Sequence, residues 1–231
     1  IEPRHDLTDA RFVRKLLELV EKGYFNAIFV SPPCSTWSRA RFRPGGPRPL
    51  RARREPWARS DIRLTDFEAR RLSLGSELLR ASFALLRAMS RAGGLGLSKR
   101  PADPGGDPYP SIWNLPEMFE LVQETGGKAQ HIDQCRYGAP SRKPTMIGLL
   151  GACLRQVGSA ADRLQLTCNR RWHSVSLTGR EGGGSAAFRT AAAQTYQPPL
   201  CSAIAEVLLE AFGPARPGRA RDEVKRGDRI R

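Results

Sequence analysis

In the stretch 30–43, VSPPCSTWSRARFR, a cysteine stands four residues beyond the end of an apolar run, and three arginines follow it closely. The thiolate is the reactive form of cysteine, and nearby positive charge favours it, so Arg39, Arg41 and Arg43 would assist ionisation of Cys34. Pro32 and Pro33 stiffen the loop that carries it. A nucleophile held up at the end of a strand and a small half-buried thiol in a proline turn both fit these residues alone.

The other four cysteines, at 135, 153, 168 and 201, are widely separated and form no C-x-x-C pair. An odd number in a chain of 231 residues argues against a disulfide framework and for a reducing, intracellular compartment. The segment CNRRWH sets Cys168 and His173 at a spacing that could hold a metal. Without a second close pair the sequence makes no zinc site of it, and no metal is expected. His5, His131 and His173 have no partners identifiable from spacing and read as structural.

The net charge of +15 and the pI of about 10.6 favour a polyanionic partner. Arginine outnumbers lysine 32 to 6, a skew that a GC-rich coding sequence explains in part without explaining the shortage of acids. Nucleic acid, DNA in the first instance, is the expected partner. The segment 39–63 is rich in arginine and proline, lacks periodicity, and reads as a loop mobile until something negative orders it. Its Arg39, Arg41, Arg43, Arg51, Arg53 and Arg54 are candidate phosphate contacts, with Trp37 and Trp57 available to stack on bases. The same basic clusters would serve equally as nuclear import signals. No apolar run approaches the roughly 18 residues of a membrane span, no signal peptide opens the chain, and no membrane association is expected. Ile1 in first place suggests that the true beginning is missing.

Several elements must position these groups. LTDARFVRKLLELVEKG reads as a helix capped by Thr8 or Asp9, apolar at Phe12, Val13, Leu16, Leu17 and Val20, and ended by Gly23. YFNAIFV follows as a short buried strand ended by the prolines. A long helix is expected from about Asp66 to Arg91, with Leu72, Leu79, Phe83 and Leu86 inward, and GGLGLS is a weak strand. PADPGGDPYPS, with four prolines, must be irregular. Asn114 and Glu117 form a capping-box pattern for a helix to about Glu124. KAQHIDQC and TMIGLLGACL read as strands joined by RYGAPSRKP, and PPLCSAIAEVLLEAF as a final helix. The rhythm of helix and buried strand indicates an α/β domain over 1–212 with a mostly parallel sheet, followed by a basic disordered tail over 213–231.

SPPCSTWS resembles the catalytic-loop motif of the DNA (cytosine-5) methyltransferases, in which Pro-Cys follows a strand and a serine comes a few residues later. YGAPSRKPTMIGLL (137–150) is similar to that family's Tyr-Gly-x-Pro-Gln…Arg turn and the strand after it, and AQTYQPPLCSAIAEVLL (193–209) to its late Pro-Pro motif and helix. HDLTD, GGPRPLR, PADPGGDPYPSIWNLPE and DQCRYGAPSRKPT further resemble methyltransferase-like proteins of some unicellular algae, linked in part to retroelements. The resemblance implies a Rossmann-like methyltransferase fold, incomplete at its N-terminus, and S-adenosylmethionine as cofactor. It implies that the Cys34 thiolate adds to carbon-6 of a flipped-out cytosine, making carbon-5 nucleophilic toward the methyl group. It places Asp6, Pro32 and Gln194 at the cofactor and Arg142 near the cytosine.

Three positions depart from that pattern. Lys99 and Arg100, in SKRPADP, occupy the place of the family's cytosine-binding glutamate, whose acid catalysis is worth about 10²–10⁴-fold. Asp103 and Asp107 are the nearest substitute acids. Ser141 stands for the glutamine of the substrate turn, and the cofactor's glycine-rich loop would have to precede Ile1. An inactive form is therefore one expectation, and a non-catalytic, basic nucleic-acid-binding remnant of a mobile element is the alternative. A reading of SPPC as an amino-methyltransferase motif, with Ser31 on the exocyclic amine, is disfavoured because cysteine cannot stack on a base.

Overall fold

The computed structural model describes residues 5–151, 158–177, 179–180, 188–190 and 192–213. Helix α1 spans Ala10–Glu21, opened by Asp9, whose carboxylate accepts the amide N–H of Arg11. It closes at Gly23, where a φ of +76° favours a residue without a Cβ. Val20 is its buried anchor, with Leu16 and Leu17 partly covered against the next helix. Strand β1 is Ala27–Val30.

Helix α2, Asp66–Arg91, has the expected bounds, and its capping box is formed by Thr65 and Glu68. Leu72, Leu79, Phe83 and Leu86 are all buried. Strand β2 runs Leu95–Pro101, three residues farther than the apolar pattern indicates, because the two cations Lys99 and Arg100 continue it. Gly96 lies against Leu86: a Cβ there would come within 2.7 Å of the leucine's Cδ2.

Helix α3, Pro116–Thr125, corrects the capping-box expectation. Leu115 is the N-cap and makes no side-chain cap, while Pro116 opens the first turn. The Asn114 amide instead donates to Asp103 at 2.9 Å. Strands β3, Lys128–Asp133, and β4, Pro144–Leu150, are joined through a single 3-10 turn at Gln134–Tyr137. A short helix α4, Gly158–Arg163, and the final helix α5, Pro198–Phe212, complete the described elements. The expected tail beyond Gly213 and Cys153 lie outside the described residues. No helix among the described residues is long and apolar enough to cross a membrane.

The four strands form one sheet in the order β1-β2-β4-β3. Only β1 and β2 run parallel; β4 is antiparallel to both of its neighbours, β2 and β3. The sheet is therefore mixed, which corrects the expectation of a mostly parallel one. The physical reason is the short 134–143 connection, which lets β4 turn straight back beside β3 and insert against β2, whereas a parallel return needs a long crossover. Leu95, Leu97, Ile132, Ile147 and Leu149 pack with α4 and α5 on one face. Val30 and Leu150 pack with Leu79, Phe83, Met118 and Leu121 of α2 and α3 on the other. The molecule is α/β, with helices covering both faces of a mixed sheet.

Candidate active site

Register brings one end of the sheet into a single place. Val30 lies opposite Ser98, Pro101 opposite Thr145, and Asp133 opposite Pro144. The carboxyl ends of β1, β2 and β3 and the start of β4 thus share an edge, which is where loops of an α/β sheet assemble sites. Cys34 lies here, partly exposed, immediately before a 3-10 turn at Ser35–Trp37 that buries Thr36 and Trp37.

Period-two alternation puts Lys99 on the α5 face with Leu95 and Leu97, and Arg100 on the α2 face with Gly96. Both are buried, Lys99 at 6% exposure and Arg100 at 0%. Burial pushes the Lys99 ammonium down to about 8, with Lys143 adding to the effect and Cys34 opposing it. Burial likewise pushes Arg100 down to about 10, and the charges of Cys34 and Tyr196 oppose it. The Lys99 Nζ lies 4.7 Å from the centre of the Tyr196 ring. The Tyr196 hydroxyl donates to Ser31 Oγ at 2.9 Å, and burial raises its pKa. Half-buried Lys143 donates to the Ala193 carbonyl, and burial lowers its pKa while Cys34 raises it. Lys99, Arg100, Lys143 and Tyr196 therefore all feel Cys34.

Arg100 is unusual in what it lacks. Its Nη1 reaches only the carbonyl of Lys99 at 3.3 Å, and its Nε and Nη2 have no hydrogen-bond partner. A buried guanidinium without a carboxylate is costly, and an unpaired buried charge is commonly compensated by a bound counter-charge. Asp103 and Asp107 do not supply it. Asp103 accepts both Arg53 nitrogens, at 3.0 and 3.3 Å, and Asp107 pairs with Arg54 at 2.9 Å. Both acids are thus committed to arginines of the 39–63 segment rather than to Arg100.

The candidate phosphate contacts divide. Arg51 is fully buried and bonds Thr36, Ser76 and the carbonyls of Pro56, Trp57 and Leu72, with its guanidinium 4.3 Å from the centre of the Trp37 ring. Arg41 is buried and bonds the carbonyls of Ser35 and Arg48. These two cannot reach a phosphate, a correction to the sequence reading, as is the idea of a loop awaiting an external anion. The 39–63 segment is held by its own arginines, on the carbonyls of Arg48, Pro56, Trp57 and Arg63 within it and on Ser35, Thr36, Leu72 and Ser76 beside it. Arg53 and Arg54 are ion-paired, and Arg39 and Arg43 are exposed. Trp37 is buried and meets Trp57 edge-on at 6.1 Å, while Arg80 covers Trp57 at 4.5 Å, so both tryptophans pack rather than await a base.

The cofactor candidates converge in part. Pro32 and Gln194 lie on segments tied together by the Ser31–Tyr196 hydrogen bond, and the Lys143–Ala193 bond holds the Gln194 segment to the start of β4. Asp6 is exposed just ahead of α1, and its carboxylate accepts the backbone and hydroxyl of Thr8, which hold its pKa down. Arg142 donates to buried Asp133 at 3.3 Å, and that bond raises its pKa; it is the next residue, Lys143, whose charge meets Cys34. Lys143 and Tyr196 were not legible as site residues, since each becomes one only through tertiary contacts, Lys143 at the start of β4 and Tyr196 through Ser31 and Lys99. A cleft of about 120 Å³ adjoins this turn, lined by Gln134, Ser141, Arg189, Thr195 and Gln197 among others.

Comparison of the chain with protein-family models, with curated proteins and with solved structures found no match.

Proposed function

We propose that the chain is a nucleic-acid-binding, cytosine-methyltransferase-like protein in which Cys34 is the nucleophile. The observation that carries this reading is the convergence of Lys99, Arg100, Lys143 and Tyr196 around a partly exposed Cys34 at the end of the sheet. Lys99, Arg100 and Lys143 give this end of the sheet a positive field in which an anionic nucleophile or substrate is stabilised. Addition of that thiolate to carbon-6 of a cytosine moves the carbon-5–carbon-6 electron pair into the ring, and negative charge develops toward N3 and O2.

A carboxyl group is not the only group that can meet that charge. Lys99, with its pKa near 8, is protonated at neutral pH and close enough to neutrality to give up a proton. It can donate to N3, so the lysine in the glutamate's place changes the proton donor rather than removing it. Half-buried Lys143 adds positive charge at the same end of the sheet. S-adenosylmethionine, when bound, supplies the methyl group for carbon-5. The resemblance would put Pro32, Gln194 and Asp6 at its edge; the Asp6 carboxylate is engaged by Thr8.

The net charge of +15 and the exposed Arg39 and Arg43 favour a second reading, a basic module that binds phosphates without catalysis. A trapping assay separates the two. The protein is mixed with S-adenosylmethionine and an oligonucleotide containing 5-fluorocytosine, whose fluorine cannot leave as a proton does and so arrests the covalent complex. The methyltransferase reading expects a denaturation-resistant adduct that disappears in Cys34→Ala and without the cofactor. No adduct, together with salt-sensitive binding of the same oligonucleotide, leaves the binding module.

A further inference from the structure

The turn after β3 and the loop after α4 bring together three groups that lie far apart in the chain. Cys135, Cys168 and His173 each offer one donor atom, and all three atoms lie within 4.8 Å of one another. Cys168 is buried at 6% exposure, while Cys135 and His173 are partly covered. The Cys168 Sγ to His173 Nε2 distance is 3.4 Å. Zinc–sulfur and zinc–nitrogen bonds of about 2.3 and 2.05 Å at a tetrahedral angle would set those atoms about 3.6 Å apart, so the spacing needs almost no adjustment.

The surroundings are those of metal ligands. The Arg170 amide N–H donates to Cys168 Sγ at 3.4 Å, which fixes the direction of that side chain. The amide N–H of Cys168 donates at 2.7 Å to Asp133 Oδ2, and Asp133 Oδ1 accepts from Arg142 at 3.3 Å. A fully buried carboxylate thus fixes the backbone that carries one thiol, in the way that outer hydrogen bonds orient ligands.

We infer that Cys135, Cys168 and His173 form a binding site for one zinc-like divalent cation. Two thiolates cancel its charge, and thiolate with imidazole selects a borderline-soft ion over magnesium or calcium. The three groups leave a fourth position that no other His, Cys, Asp or Glu among the described residues fills. The ion would clamp the 168–173 loop to the turn that carries Ser141 and Lys143. Ser174 Oγ and the Val175 amide, which both donate to the Pro140 carbonyl, already begin that attachment. This site is separate from the chemistry proposed at Cys34.

The test uses the full chain, reduced, stripped with a chelator and titrated with cobalt(II), then with zinc(II). The expected result is one cobalt per chain, with thiolate-to-cobalt charge-transfer absorption and the intense visible bands of a tetrahedral ion, both displaced by one equivalent of zinc. Cys135→Ser should lose about half of the charge-transfer intensity, one thiolate of two. His173→Gln, on a partly exposed loop and expected to match the wild type by circular dichroism, should lose stoichiometric binding. Zinc should also slow amide exchange over 138–143 and 168–175. Absence of the charge-transfer band in the reduced wild-type chain would overturn the inference, and so would binding unchanged in both variants. A Cys135–Cys168 disulfide that persists in the presence of a thiol reductant would overturn it as well.

Discussion

Arg51→Met is expected to destabilise the fold by about 3–5 kcal/mol, the range for breaking a buried network around a charge. Burial of Arg51 lowers its pKa to about 10, and its partners are neutral: two hydroxyls and three carbonyls. Removing the guanidinium leaves Thr36 Oγ1 and the Pro56 and Trp57 carbonyls without this donor, each costing about 1–3 kcal/mol where water cannot reach, while the Leu72 carbonyl keeps the Ser76 hydroxyl. Arg51→Lys should rescue little, because one ammonium cannot span partners that a planar fork reaches together. Chemical denaturation reads the effect as a lowered midpoint, and limited proteolysis should cut within 52–63. An unchanged midpoint in both variants would show that Arg51 does not organise the loop.

Lys99→Met is expected to do the opposite, stabilising the protein while abolishing the proposed proton transfer. The drop from 10.5 to about 8 corresponds to about 3 kcal/mol for carrying the buried charge at neutral pH. Between pH 8 and 10.5 the unfolded chain keeps this proton and the folded one does not, so wild-type stability gains from Lys99 as pH rises through that window. The advantage of Lys99→Met should accordingly be full below about pH 8, shrink through the window and vanish near 10.5. Other groups that titrate there are common to both proteins, so the difference isolates Lys99 together with its coupling to Lys143 and Cys34. Denaturation midpoints at pH 7, 9 and 10.5 measure it. A constant difference across the three would mean that Lys99 is not the group responsible. In the trapping assay the same variant should form adduct far more slowly, by about 10²-fold or more if Lys99 is the proton donor.

Local pattern revealed what local forces decide. The bounds of α2 follow from a 26-residue apolar stripe, and α1 and α5 from caps and prolines that act within one turn. Strand order did not emerge, because β4 inserts beside β2 through contacts roughly 50 residues apart in sequence, and neither strand's composition encodes its neighbour's direction. The helix cap at Asn114 misled for a similar reason: a distant carboxylate, Asp103, outbid the local amide. Cys34 was legible from a strand followed by two prolines, but Lys143 and Tyr196 become its neighbours only once the sheet has closed. The thiol and imidazole pair at 168 and 173 showed its spacing plainly. Its third member, Cys135, lay 33 residues upstream, beyond any motif window.

The inward arginines also alter what the protein's charge can do at a distance. Each phosphate neutralised at a surface frees a condensed counterion, so the slope of log affinity against log salt counts the cations that reach a polyanion. Arg41 and Arg51 contribute none, and Arg53 and Arg54 must first give up Asp103 and Asp107. Binding through this loop should therefore be far less salt-steep than its arginine content suggests: the formal charge of +15 measures composition, and the ions released measure surface.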